Sequence, residues 1–257
     1  MTLESQSASK RASMGSIMTL VRWADPAGEF TYKTARSRRR DFLELVTIYG
    51  LILLVIWTPQ PWQGPLSGVA AISIIAVIAV SYEGMRPMGL CTVNLVKSLW
   101  AVALAMTIAL CAVWMAGRMH TLHVADSPWT GVRNYGGYAV WAGMQQLILQ
   151  SFFLPRSLRL LRNAPAAAVV SAVLFAIAHL PNPLLTLITL VCGLASCLFF
   201  LRYKNLWPLA LAHAILGISI AITIPSPVDH NMRVGLGYVT WADGAAMQHA
   251  AVRAQKP

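Results

Sequence analysis

The chain has 257 residues, 57% of them hydrophobic and only 11% charged. Soluble domains carry roughly 25% charged residues, so this chain cannot clothe itself in charge, and its long apolar blocks exceed what a water-soluble core of this size would absorb. The net charge of +11, from 20 basic and 9 acidic residues, would suggest nucleic acid in a soluble protein. Here the basic residues sit at the ends of apolar blocks, where they set topology and meet anionic headgroups, and nucleic-acid binding is set aside.

In chain order, residues 1–41 read as a cytoplasmic arm rich in Ser and Thr that ends in Arg36, Arg38, Arg39 and Arg40. No cleavable signal peptide is visible in it, so the first span is expected to act as its own insertion signal. Apolar blocks follow at about 42–57, 66–82, 98–117, 136–154, 165–180, 183–201 and 206–224. A helix needs roughly 20 residues to cross a bilayer core, with about 17 as a workable minimum. The expectation is an all-α polytopic transmembrane bundle of about seven spans over residues 42–224, followed by an external tail, 225–257, of little functional content. Between the fourth and fifth blocks, Arg156, Arg159 and Arg162 with Leu158, Leu160 and Leu161 suggest a basic amphipathic turn lying on the inner leaflet.

Loop charge sets the orientation. With the N-terminus inside, the inner loops hold seven basic residues (Arg86, Lys97, Arg156, Arg159, Arg162, Arg202, Lys204) against two outside, Arg118 and Arg133. The positive-inside rule therefore predicts a cytoplasmic N-terminus, and a bacterial inner membrane is the expected location. Trp57, Trp62, Trp129, Trp141 and Trp207 lie near block ends, as interface anchors do. Cys91, Cys111, Cys192 and Cys197 show no CxxC spacing and read as small apolar thiols.

Polar side chains inside spans are costly and mark candidate sites. Gln145, Gln146 and Gln150 fall within the fourth block, and Gln146 and Gln150, four apart, share a helix face. Interhelical hydrogen bonding, at about 1 kcal/mol each, is the plain explanation, yet three amides within six residues exceed what packing needs. Phe175 and His179 stack at i and i+4 in the fifth block. His213 lies about two turns into the last block, with Gly217 one turn further on the same face. Two intramembrane imidazoles with amides nearby could bind a metal, orient a water or stabilise an oxyanion. The spacing of His179 and His213 does not itself indicate a metal, and no metal ligand set is assigned. His120 and His123 read as solvated loop residues.

The order of these groups resembles the CPBP (CAAX protease and bacteriocin-processing, or Abi) family of intramembrane proteases, which carries Glu-Glu-x-x-x-Arg, then Phe-x-x-x-His, then His-x-x-x-Asn. The counterparts are Gln145-Gln146-x-x-x-Gln150, Phe175-x-x-x-His179 and His213-x-x-x-Gly217, within about 136–224. The resemblance implies that His179, His213, Gln146, Gln145 and Gln150 form a catalytic constellation, with Phe175 and Gly217 at the substrate, and that the helices converge there. In the family a first-motif glutamate acts as general base. Here both glutamates are Gln, the Arg is Gln and the Asn is Gly. An amide has no useful basicity near neutral pH, so activation of water would fall to His179 or His213, with Gln holding water or substrate through hydrogen bonds.

No acid lies between Asp126 and Asp229, which leaves the motif helices without a carboxylate. The Glu-Arg pair is lost as a unit, which strands no charge in the membrane. Three readings stay open: a divergent intramembrane endopeptidase acting on prenylated or other membrane peptides, a catalytically inactive relative that binds a lipid or a partner's transmembrane segment, and a structural or transport component. The expected partners are membrane lipids and a membrane-embedded or prenylated peptide.

Overall fold

In the computed structural model, which describes residues 38–82, 84–124 and 127–241, each apolar block is one helix. The arm through residue 37, Glu83, Asp126, and the tail from 242, His249 included, lie outside the described residues. The helices are α1 (Arg38–Ile56), α2 (Gln63–Val80), the short α3 (Leu95–Ser98), α4 (Trp100–Arg118), α5 (Pro128–Ile148), α6 (Leu154–Leu161), α7 (Ala164–Ile177), α8 (Pro183–Tyr203) and α9 (Trp207–Thr223), with two short turns, α10 (Ser226–Asp229) and α11 (Gly235–Val239). No strand is present among the described residues. Three segments, Gln63–Val80, Leu95–Arg118 and Pro183–Tyr203, are long and apolar enough to cross a membrane, and Ala164–Ile177 and Trp207–Thr223 are shorter apolar helices. Val69, Ile72 and Ile75 on α2 and Leu110, Trp114 and Met115 on α4 are exposed. An apolar outer surface of this extent suits lipid, and the chain is an integral membrane protein.

Local chemistry sets the helix starts. Ser127, Asn163 and Asn182 each cap a helix by accepting the backbone N–H three residues on, and each helix has Pro in its first turn. The fourth helix therefore begins at Pro128, eight residues before the apolar block expected at 136–154. Its opening turns carry the exposed polar residues Arg133 and Asn134, which hide it from hydropathy.

At the other end α5 does not stop. It passes through a π turn, Leu149–Phe153, in which the N–H of Leu154 reaches back to the Leu149 carbonyl, and continues as α6. The expected surface-lying amphipathic turn is corrected here. Arg156 is 1% exposed; its guanidinium binds Glu44, donates to Ser81 Oγ at 3.0 Å and to the Phe152 carbonyl at 3.1 Å, and lies 3.8 Å over the Phe152 ring. Arg159 grips the buried Asp41 with two hydrogen bonds of 2.8 Å. A buried guanidinium needs paired charge, and α1 supplies both carboxylates, so α6 turns its arginines into the protein and Arg162 remains exposed.

The motif helices pack through small residues. Ala167, Ala168 and Ala172 of α7 are fully buried. A Cβ on Gly193 of α8 would lie 3.2 Å from the Phe175 ring and 3.5 Å from the Ala172 Cα. Close backbone approach of this kind is how membrane helices associate without a hydrophobic driving force. Helix α9 packs against α4 and α5, which completes a ring of helices around a central cavity.

The residues from the end of α9 through Trp241 fold back onto the bundle. The Asn182 amide, fully buried, donates to the carbonyls of Asp229 and Arg233 at 2.8 and 3.2 Å, and the Gly235 N–H donates to the Leu180 carbonyl at 2.8 Å. Gly235 has φ +55° and a Cβ there would overlap Ile56 of α1, a close approach that requires glycine.

Candidate functional site

A cavity of about 770 Å³ is lined by all seven long helices and by Met232 and Val234 of the folded-back segment. Its walls are mainly aliphatic and aromatic. Polar side chains interrupt them: Gln63 and Ser67 on α2, and a group from the motif helices and α8 comprising Gln145, Gln146, His179, His213, Thr189 and Ser196. The pattern of a largely apolar pocket with a few convergent polar groups is that of a ligand or active site.

The polar region forms a chain of hydrogen bonds with one consistent direction. Ser196 Oγ donates to the Gly193 carbonyl at 3.0 Å and so accepts from Gln150 Nε2 at 3.1 Å. The same Gln150 nitrogen donates to Gln146 Oε1 at 3.2 Å. That orients the Gln146 amide with its nitrogen towards His213 Nδ1, 3.1 Å away. An amide nitrogen only donates, so His213 Nδ1 accepts and its proton sits on Nε2. The imidazole of His213 is thereby held as a donor on its Nε2 side.

His179 has the opposite tautomer. Its Nδ1 lies 2.8 Å from the Phe175 carbonyl, an acceptor only, so Nδ1 carries the proton and Nε2 keeps its lone pair. The Phe175 ring stands between the two imidazoles, edge to face with each, at centroid distances of 5.0 Å to His179 and 6.0 Å to His213. One imidazole offers a lone pair, the other an N–H, and both line one cavity.

The structure thus brings Gln145, Gln146, Phe175, His179, His213 and Gly217 to the same cavity, and buries Gln150 directly behind Gln146, where its Oε1 finds no partner among the described residues. Gln145 lines the cavity and its side chain makes no hydrogen bond among the described residues. Glu44 lies outside the cavity lining and is taken by Arg156 and Arg40. Among the described residues no three His, Cys, Asp or Glu side chains gather as a metal site. His123 is exposed, with its Nδ1 2.9 Å from the Thr121 carbonyl. The four cysteines are free thiols, and Cys192 borders the cavity.

Sequence reasoning missed Tyr138, on the cavity wall two turns before Gln145 on the same face of α5, because a single Tyr in an apolar block carries no motif. It also missed Ser196, whose only sequence signal is its position within a span.

Residues 135–218 match the family model described as Rce1-like: Type II CAAX prenyl endopeptidase Rce1-like. The match covers the three motif segments and stops just beyond Gly217. Neither the curated proteins nor the solved structures give a match to the chain.

Proposed function

Residues 135–218 form a domain of the CPBP, or CAAX-protease, family, and from that premise we propose that this membrane protein is a divergent endopeptidase with a histidine and glutamine site. The observation that carries the proposal is the pair of ring contacts, Gln146 Nε2 on His213 Nδ1 and the Phe175 carbonyl on His179 Nδ1, which assigns opposite tautomers to two imidazoles lining one cavity.

His179 Nε2 takes a proton from a water molecule held by the Gln145 amide, and the water oxygen adds to the scissile carbonyl carbon. The carbonyl oxygen becomes an oxyanion and accepts the His213 Nε2–H, which Gln146, braced by Gln150 and Ser196, keeps pointed at it. Collapse of the adduct breaks the C–N bond, and the leaving nitrogen collects the proton from His179. The apolar remainder of the cavity accommodates a lipid chain or a membrane-embedded peptide, which makes a prenylated peptide the favoured substrate and bilayer lipid the competing occupant.

We propose in addition that the N-terminus is cytoplasmic and the membrane a bacterial inner membrane, on the distribution of Arg and Lys between loops. Under that topology the Gln145 end of the cavity is buried within the bilayer.

A second reading has a specific observation behind it. Of the described acids, Asp41 and Glu44 are engaged by arginines and Asp229 belongs to the folded-back segment, so none lines the cavity. A pocket without a carboxylate base suits binding of a lipid or partner segment without turnover.

The purified protein in detergent, given a panel of prenylated and unprenylated peptides, separates the two. Cleavage by wild type that is lost in both His179→Ala and His213→Ala supports the hydrolase. Absence of cleavage by a folded wild type, with lipid co-purifying, favours the binding protein and ends the endopeptidase reading.

A further inference from the structure

Gly217 follows His213 by one helical turn, and the space its missing side chain leaves is filled from the neighbouring helix. A Cβ built on Gly217 would overlap the Tyr138 hydroxyl, with the ring carbons Cζ and Cε1 next in line. The phenol of α5 therefore lies directly on the α9 backbone, and Tyr138, His213 and Gly217 border the same cavity. The Tyr138 hydroxyl makes no hydrogen bond among the described residues, whereas the other phenol on the cavity wall, that of Tyr49, donates to the Leu174 carbonyl at 3.0 Å. A half-buried hydroxyl in an apolar setting without a partner is a donor waiting for an acceptor.

The acceptor position follows from spacing. His213 and Gly217 share one face of α9, four residues or about 6 Å apart along the axis, and with the Tyr138 hydroxyl seated on Gly217 both donors border the same stretch of cavity wall. We propose that Tyr138 is a second oxyanion donor, a catalytic residue that with His213 receives the carbonyl oxygen of the substrate as it becomes negative. The inference rests on the hydrolase reading and adds a residue to it. It also accounts for a glycine at position 217: the donor comes from α5, and any side chain on α9 would displace it. The position where the family carries Asn is thus served by a phenol from another helix.

The test uses the full-length protein in detergent with two probes: a farnesylated peptide substrate, and a phosphinic-acid pseudopeptide built on the same farnesylated cysteine, whose anionic oxygen mimics the tetrahedral adduct. Tyr138→Phe keeps the ring and removes only the donor. The expected result is a fall in kcat of about 100-fold, the usual loss for one oxyanion donor, with KM within about threefold, and at least a tenfold loss of pseudopeptide affinity. Tyr138→Ala with Gly217→Asn in the same chain, where the amide N–H₂ replaces the phenol and no longer collides with it, should recover most of what Tyr138→Ala alone loses.

Tyr138→Phe with wild-type kcat and wild-type pseudopeptide affinity overturns the inference and leaves the hydrolase reading standing. A wild type that cleaves nothing yet binds the pseudopeptide in a Tyr138-dependent way ends the hydrolase reading while supporting the donor pair. A wild type that neither cleaves nor binds overturns both.

Discussion

Replacing Gln146 with Glu looks like a restoration of the family's acid, and the structure predicts that it harms the site. Gln146 Nε2 is the donor that leaves His213 Nδ1 unprotonated. A carboxylate has only lone pairs to offer, so in Gln146→Glu the His213 proton must move to Nδ1 to make the bond, and Nε2 becomes an acceptor. The cavity then loses the N–H that would meet an oxyanion. Loss of one such donor costs about 2.7–4 kcal/mol, or about 10²–10³ in kcat. Gln150 still donates to the new oxygen as it does to Gln146 Oε1 at 3.2 Å, so the helix pair itself survives.

Gln145→Glu has the opposite sign. The Gln145 side chain lines the cavity without a hydrogen bond among the described residues, and a carboxylate there would be free to take a proton from water. General-base assistance is worth about 10²–10⁴-fold, so a gain of at least about tenfold is expected. The assay is kcat on a farnesylated peptide in micelles, together with ¹⁵N shifts of the His213 ring, which distinguish Nδ1–H from Nε2–H directly. A Gln146→Glu enzyme as fast as wild type, with Gln145→Glu giving no gain, would refute the assignment of roles.

Two further predictions concern the scaffold. Glu44→Gln takes one carboxylate away from the buried Arg156 guanidinium and should destabilise by up to about 3–5 kcal/mol; Arg156→Met should cost less, because Glu44 keeps Arg40 at 2.8 Å. Denaturation in detergent reads both, and equal losses would contradict the asymmetry. Burial pushes the Asp229 carboxyl up from its ordinary range, against the pull of backbone N–H groups at Asn231 and Met232. A raised folded-state value favours the fold below the ordinary carboxylate range and that contribution is lost as pH climbs through it. Asp229→Asn should therefore raise Tm at pH 8 and give a difference that shrinks towards pH 4; a difference that grows in acid would reverse the sign.

The helical class was legible because a span must satisfy its backbone internally, so each apolar block had to be a helix. The ends were less so. The Ser127-Pro128 cap is a readable start signal, but Arg133 and Asn134 break the hydropathy that would have drawn the eye to it. At the site, the i and i+4 relation of Gln146 and Gln150 is local and could be read, as could that of Phe175 and His179. The Gln146–His213 bond spans 67 positions and the Arg156–Glu44 pair 112, and neither follows from local spacing. Arg156 was misread for that reason: an amphipathic pattern of Arg and Leu looks the same whether its basic face meets headgroups or buried carboxylates. The folded-back segment was missed because its mixed polarity gives no sign that Asn182 holds it.

The π turn between α5 and α6 acts on this molecule as a phase shift. In an unbroken α-helix ten residues turn through about 1000°, which would set Arg156 about 80° from Gln146 around the axis. A π turn absorbs roughly one residue without advancing the rotation, so the two side chains come out about 180° apart. One rod thus presents its amides to α9 and its guanidinium to α1, back to back. Sequence change on the anchoring side leaves the facing of the amides untouched, and substitution of the amides leaves in place the arginines that hold the rod.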